Sequence, residues 1–442
     1  MRLKELVNRS KARSVASSRQ YRSKARSVGS SRQYRSLLVT ALTGLLLAAC
    51  EPATNGSRLG EAFVRAGRPE VWKLLPRGQA ERVGLKPGDV LMTYNHLPVE
   101  TNDDVRKAQA EALAADSVVD ITVLRDDHEL SFKVRPGPLG AMPVSGRYPS
   151  SLALTLEDIL RHFGRFADYD WLAAVTGESF TFTANDSECA AWWPGGLAGD
   201  YLEDACRAAG LAARQVFDAA DSTDPMPIVK GELSRGRVVL VQGGWPEHRY
   251  SFWGIATRYD SAGVYGYTLD ASAELPLSGT VYEAYVVRPS GSGWVEPEEL
   301  LRQSVQQALE LDQERVSGGW KSGLDAYDEI IVLLDTVPFC PTCDSTESRA
   351  CFDRLVWAMV AHKESNVRFL EAMRLALPDQ TGVLDDIISA ERTIAGKLEG
   401  MVRSGVRVGK REDQHKLARV FADIQLIESD LVVQYEALLA AL

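Results

Sequence analysis

The strongest constraint on the fold is a change of hydrophobic period near Pro297. Before it, apolar residues alternate: Val119, Ile121 and Val123 face Leu130, Phe132 and Val134 across the polar turn Arg125–Glu129, which predicts a hairpin. Further strands are predicted at Val238–Val241, Ser251–Thr257 and Val264–Leu269, punctuated by Gly243-Gly244-Trp245-Pro246 and Asp260–Gly263. After Pro297 the spacing becomes helical, with stripes at Leu301, Val305, Ala308, Leu309, then Leu355, Trp357 to Met359, Val367, Phe369, Leu370, and a last helix over Leu417–Leu442. The fold class is therefore multidomain α+β ending in a helical bundle.

With 442 residues, two to four domains are expected. An apolar fraction of 45% and a charged fraction of 25% are those of a globular protein, which excludes collagen, long disorder and multi-pass membrane classes. The net charge of −10 is unevenly spread. Residues 1–49 carry eleven Lys/Arg and one acid, so the remainder carries −20. Nucleic acid is not expected as a partner of such an acidic body.

A basic stretch runs into the thirteen-residue uncharged segment Leu37–Ala49, too short to span a bilayer, and stops at Cys50. Leu47-Ala48-Ala49-Cys50 resembles the lipobox of bacterial lipoproteins. That resemblance implies cleavage after residue 49, acylation of Cys50 and a periplasm-facing protein held on the membrane by several acyl chains, with Glu51 pointing to the outer membrane. Residues 1–49 are thus read as a signal segment and 50–56 as lipidated Cys and linker. The tandem repeat Ser10–Arg22 and Ser23–Arg35 lies upstream of the cleavage point and is too short for a solenoid.

An exported protein meets an oxidising compartment, so Cys189, Cys206, Cys340, Cys343 and Cys351 are disulfide candidates: Cys189 with Cys206, and Cys340-Pro-Thr-Cys343 with Cys351 offering a second bridge and an odd thiol. Cys340, Cys343, Cys351 and His362 have the ligand count of a zinc site but not the spacing of a finger or ribbon, and no metal or cofactor is expected.

Residues 57–140 form the first predicted module. Gly84-Leu85-Lys86-Pro87-Gly88-Asp89-Val90-Leu91 is a turn and strand, Asn95-His96-Leu97-Pro98 a second turn, and Val105, Ala108, Ala112 and Leu113 one face of a helix from Asn102. Pro76–Val83, this "GLKPGD" strand and Arg135–Gly140 as closing strand resemble a permuted bacterial PDZ domain, a small half-barrel that takes a peptide C-terminus or internal strand as an added strand. Carried over by position, the resemblance implies a carboxylate loop at Arg58-Leu59-Gly60-Glu61 and groove-facing helix positions Thr101, Val105 and Ala108. His96 stands where the family has Gly, a substitution tolerated at positive φ.

Ala141–Pro149 is read as a linker to a second module at 149–290, which begins with a helix over Thr155–Phe163. Asp168-Tyr169-Asp170-Trp171-Leu172 with Gly177-Glu178-Ser179-Phe180, and Trp253–Asp260, resemble segments of the papain-like N-terminal domain of butirosin-biosynthesis protein H and its relatives. A papain-like centre needs a thiolate at the helix start with a His and an Asn or Asp. The nucleophile position here falls on Ser151 or Ser150 and the His position on Phe252, with His248 four residues upstream and Asp270 as third member. A serine without a strong base is a poor nucleophile, so a degenerate binding scaffold is favoured over a Ser151/His248/Asp270 hydrolase or acyltransferase. The aromatic set Trp192, Trp193, Trp245, Tyr250, Phe252 and Trp253 is read as core or cleft rim.

The third module, 295–442, is helical, and Gly323–Asp328 resembles the "GLxAYD" helix that follows the papain-like domain in the same relatives. The expected function is that of a membrane-anchored envelope lipoprotein binding protein or peptide ligands through the PDZ groove.

Overall fold

The computed structural model describes residues 59–75, 78–113, 118–180, 183–184, 200–221, 223–246, 252–269, 273–291, 293–313, 321–335 and 345–442. Arg58, Cys50, Cys189, His248, Asp270, Cys340 and Cys343 lie outside them. The architecture is mixed α+β, as the change of period predicts.

The first stretch contains α1 (Glu61–Gly67), β1 (Val71–Leu74), α2 (Gln79–Val83), β2 (Val90–Tyr94), β3 (Leu97–Pro98), α3 (Asn102–Ala112), β4 (Val119–Arg125), β5 (His128–Val134) and β6 (Ala141–Pro143). Four strands pair antiparallel in the order β3-β2-β4-β5. The two sharp turns are made by Asn95-His96 (φ 50 and 63) and Asp126-Asp127 (φ 49 and 62), polar residues in the left-handed region, so His96 sits at the positive φ expected of it. Asp89 fixes the turn before β2: its buried carboxylate accepts Lys86 N–H (2.8 Å) and both arms of Arg125 (2.6 and 2.7 Å). Thr101 caps α3 by accepting Asp104 N–H (3.1 Å). Val71, Leu85, Leu91, Tyr94, Ala108, Ile121 and Val123 make a small core of their own.

Two expectations need correction here. Residues 135–140 form no strand, because Pro136 and Pro138 lack N–H donors and Gly137 and Gly140 adopt φ of 109° and 74°. The strand comes later, where a linker was expected: β6 pairs antiparallel with β1, Val71 opposite Pro143 and Leu74 opposite Ala141. Helix α1 also departs from the first module, since Ala62, Phe63 and Ala66 are buried in the main core rather than in the small one.

The middle stretch contains α4 (Ser151–His162), α5 (Tyr169–Val175), β7 (Thr183–Ala184), α6 (Asp200–Ala208), β8 (Leu211–Asp218), α7 (Pro225–Ser234), β9 (Val238–Gly243), β10 (Trp253–Tyr259), β11 (Val264–Thr268), β12 (Leu275–Pro276) and β13 (Val281–Pro289). A six-stranded sheet runs β12-β11-β10-β9-β13-β8, antiparallel throughout. Every residue of β9 is buried, so both faces of the sheet centre are covered. Helix α4 starts four residues earlier than its apolar face predicts, because Ser150 caps it by accepting Ala153 N–H (2.9 Å).

The last stretch contains α8 (Pro297–Gln313), β14 (Lys321–Ser322), α9 (Gly323–Leu334), α10 (Ser345–Ala376), α11 (Thr381–Ser404) and α12 (Arg411–Ala441). Their apolar faces and those of the six-stranded sheet belong to one continuous core, so the second and third modules share a single interior. Its polar centre is Lys363 of α10, 3.0 Å from Glu391 of α11 and 2.8 Å from Glu428 of α12, while also donating to the Phe180 carbonyl (3.0 Å). Burial pushes the Lys363 ammonium down, but the two carboxylates outweigh it and hold its pKa above the ordinary value. The first module docks on this bundle through β1. Lys73 pairs with Glu364 and Glu399, and Trp72 meets Trp357 edge-on at 6.1 Å.

Candidate functional site

Two places collect the residues picked out by the sequence. The first is the N-terminus of α4. Ser151 is fully buried at its first turn, and its Oγ accepts the Trp253 N–H (3.0 Å) at the start of β10. The helix start and the strand start therefore meet, with Phe252 beside the contact where a catalytic imidazole was sought. The hydroxyl thus has one lone pair engaged by a backbone N–H and is closed off from solvent. His248 and Asp270, proposed to complete the set, lie outside the described residues.

Behind Ser151 sits a buried acid that sequence reasoning quoted but gave no role. Glu178 is 1% exposed, and the Ser150 and Thr176 hydroxyls are the polar groups beside its carboxyl. Burial pushes its pKa up to about 8; the Ser150 and Thr176 hydroxyls lower it, but less. It is therefore largely protonated at neutral pH. The Tyr169 hydroxyl, which accepts Ser150 N–H (2.9 Å), shares the pocket, and Glu178 raises its pKa further above the ordinary value already lifted by burial. These groups form a buried polar cluster at a helix start. It lacks the charged base of a hydrolytic centre among the described residues.

The second place is the side of α3. A cavity of about 230 Å³ lies between α3 and the β1–β6 pair, with Val71, Leu91, Val105, Leu139 and Met142 as apolar walls and Asn102, Arg106 and Gln109 at its polar margin. Of the three predicted groove positions, Val105 lines it. Ala108 is instead buried in the small core, and Thr101 is spent on the helix cap. The lining face runs Asn102, Val105, Arg106 and Gln109, so the predicted phase was off by about one residue toward the interior.

The predicted carboxylate loop is not at this cavity. Helix α1 intervenes between Gly60 and β1, and the backbone N–H groups of Gly60, Glu61 and Ala62 point at the carboxylate of Asp158 in α4. Gly60 has φ of 102° and a Cβ there would lie 2.5 Å from the Tyr267 ring, which explains the glycine without any ligand. Leu59, Gly60 and Glu61 thus dock α1 on the main core. Burial raises the Asp158 pKa to about 6, against the lowering by these three N–H groups.

Cys206 is a fully buried free thiol in α6, its pKa pushed up to about 12 by burial, not half of a bridge with Cys189. Cys351 and His362 both lie on α10, eleven residues apart, which is about 16 Å along the axis and too far to share a zinc ion. His362 is fully buried with no partner on either nitrogen, and its pKa falls to about 3 through burial and Lys363. Among the described residues no group of His, Cys, Asp and Glu is arranged to hold a metal, and no helix is long and apolar enough to cross a membrane. No protein-family model matches this chain, and no curated protein matches it either.

Proposed function

We propose that this chain is a membrane-tethered envelope lipoprotein whose PDZ-like first module binds extended peptide segments, coupled to a papain-like scaffold that performs no catalysis. The observation carrying the binding role is the apolar-walled cavity beside Val105, sized for a single hydrophobic side chain. Internal segments are the favoured ligands rather than free C-termini. The N–H groups assigned to a ligand carboxylate are already satisfied by Asp158, and the β1 edge is already paired with β6. A bound segment would lie along α3 and across β6, with one side chain seated between Val105 and Met142.

The test is Val105→Trp, which fills the cavity from its rim. Peptides carrying a Leu, Ile or Phe flanked by small residues are expected to bind the parent chain in a fluorescence-polarisation array. They are expected to bind the variant at least tenfold more weakly, with its melting temperature unchanged. Equal binding by both chains, or no binding by the parent, removes the proposal.

The silent-scaffold half is carried by the Ser151–Trp253 contact. A fluorophosphonate probe is expected to leave Ser151 unlabelled, with no difference in labelling between the parent and Ser151→Ala. Stoichiometric labelling that Ser151→Ala abolishes would instead support a hydrolase or acyltransferase fed by the first module.

A further inference from the structure

On the described surface, positive charge is concentrated around Glu232 against the strongly acidic character of the body. Glu232, in the last turn of α7, is 9% exposed and receives three guanidinium groups: Arg237 at 2.5 Å, Arg235 at 3.0 Å and Arg214 at 3.6 Å. These arginines come from separate elements, Arg214 from the edge strand β8, Arg235 from the end of α7 and Arg237 from the residue before β9. Each remains well exposed, at 61%, 58% and 46%. One carboxylate neutralises one of three charges, and none of the three arginines pairs with another acid among the described residues. Their joint effect is visible in Glu232, whose pKa is lowered against the upward push of burial. A guanidinium carries five N–H donors, so each of the three arginines retains donors beyond its contact with Glu232, and such donors suit a phosphate oxyanion.

We infer that Arg214, Arg235 and Arg237 form an anion site for the phosphodiester headgroup of an anionic lipid. The choice of a lipid source rests on the tethered reading above. Leu59 lies nine positions after Cys50, a span of at most about 30 Å when extended. Gly60 packs on Tyr267 in β11, and β8 lies four strands away, about 19 Å across the sheet. The arginine edge is therefore within reach of the same bilayer that holds the anchor. At such contact the local charges act over a Debye length of about 8 Å, so the distant acids of the body are screened.

The test uses the full chain carrying Cys50→Ser, so that acylation contributes nothing and the basic leader is common to every arm. Binding is measured by flotation with vesicles of phosphatidylcholine and phosphatidylglycerol at a 3:1 ratio, with pure phosphatidylcholine as the reference. R214Q/R235Q/R237Q, combined with E232Q so that no buried carboxylate is stranded, is expected to weaken binding to the mixed vesicles between about ten- and thirtyfold, the effect of two net charges near an anionic surface. R214Q alone leaves the two closer partners of Glu232 in place, guards against misfolding, and is expected to give a smaller loss in the same direction. No dependence on the cluster is expected with phosphatidylcholine. Equal binding of parent and variants to the mixed vesicles overturns the proposal, also if inorganic phosphate raises the melting temperature of the parent alone, since the site would then serve a free anion. The tether is read separately, by palmitate incorporation at Cys50 in the unsubstituted chain. Its absence would sink the lipoprotein reading while the vesicle result stood by itself.

Discussion

Lys363→Met is expected to cost about 3–5 kcal/mol of folding stability, because it strands two buried carboxylates. Glu391 is fully buried and Glu428 nearly so, and both face the lysine ammonium. Tyr435 (2.7 Å) and Asn366 (2.9 Å) also hydrogen-bond Glu391, and Tyr327 donates to Glu428 (2.7 Å), so the cluster ties α9, α10, α11 and α12 together. These neutral donors cannot replace the cation. Adding Glu391→Gln to Lys363→Met is expected to recover at least half of the loss in urea denaturation, whereas an additive double variant would show that the lysine acts through packing alone. The loss is also expected to change little between low and high salt, unlike that of a surface pair.

Glu178→Gln is expected to work in the opposite direction and to depend on pH. The folded-state pKa of Glu178, about 8, lies above its ordinary value of 4.5. The group's favourable contribution is therefore complete below about pH 4.5 and is lost as pH rises through 8, where an ionised carboxylate must stay buried. A shift of this size corresponds to about 2–5 kcal/mol. Gln cannot ionise, so the variant is expected to be the more stable chain at pH 9 and to show a flatter profile between pH 5 and 9. His362 acts on the acid side: its folded pKa of about 3 lies below 6.5, so its contribution is present above pH 6.5 and is lost as pH falls toward 3. Denaturation curves at half-unit pH intervals separate the two. A parent chain with no alkaline decline would show that Glu178 is solvated or paired in solution.

What the sequence made legible was local. The alternating runs at 119–134, the left-handed turn at His96, the strands at 238, 253 and 264, and the last helix all follow from spacing and turn chemistry over ten residues or fewer. The contact between Ser151 and the start of β10 was not legible from spacing, since the apolar face placed the helix start at Thr155 and the Ser150 cap that extends it carries no period. What failed was long-range. The role of Gly60 depends on Asp158, ninety-eight positions away, and a PDZ-like pattern offers no sign that α1 will be taken by another module's core. The β1–β6 pairing was hidden because Ala141-Met142-Pro143 is too short to show a period. The groove phase on α3 was missed because Ala108 and Val105 are both apolar and only tertiary packing decides which one turns inward. Glu178 gave a faint signal, an acid set between glycine and serine beside an apolar run, but its burial could not be read from those neighbours.

The grip of Asp158 on the start of α1 has a mechanical consequence. Traction arriving along the chain from the N-terminal side meets that clamp before it reaches β1. The load passes into α4 and the broad sheet beneath it, and the small module downstream is spared from being levered off its seat at Trp357.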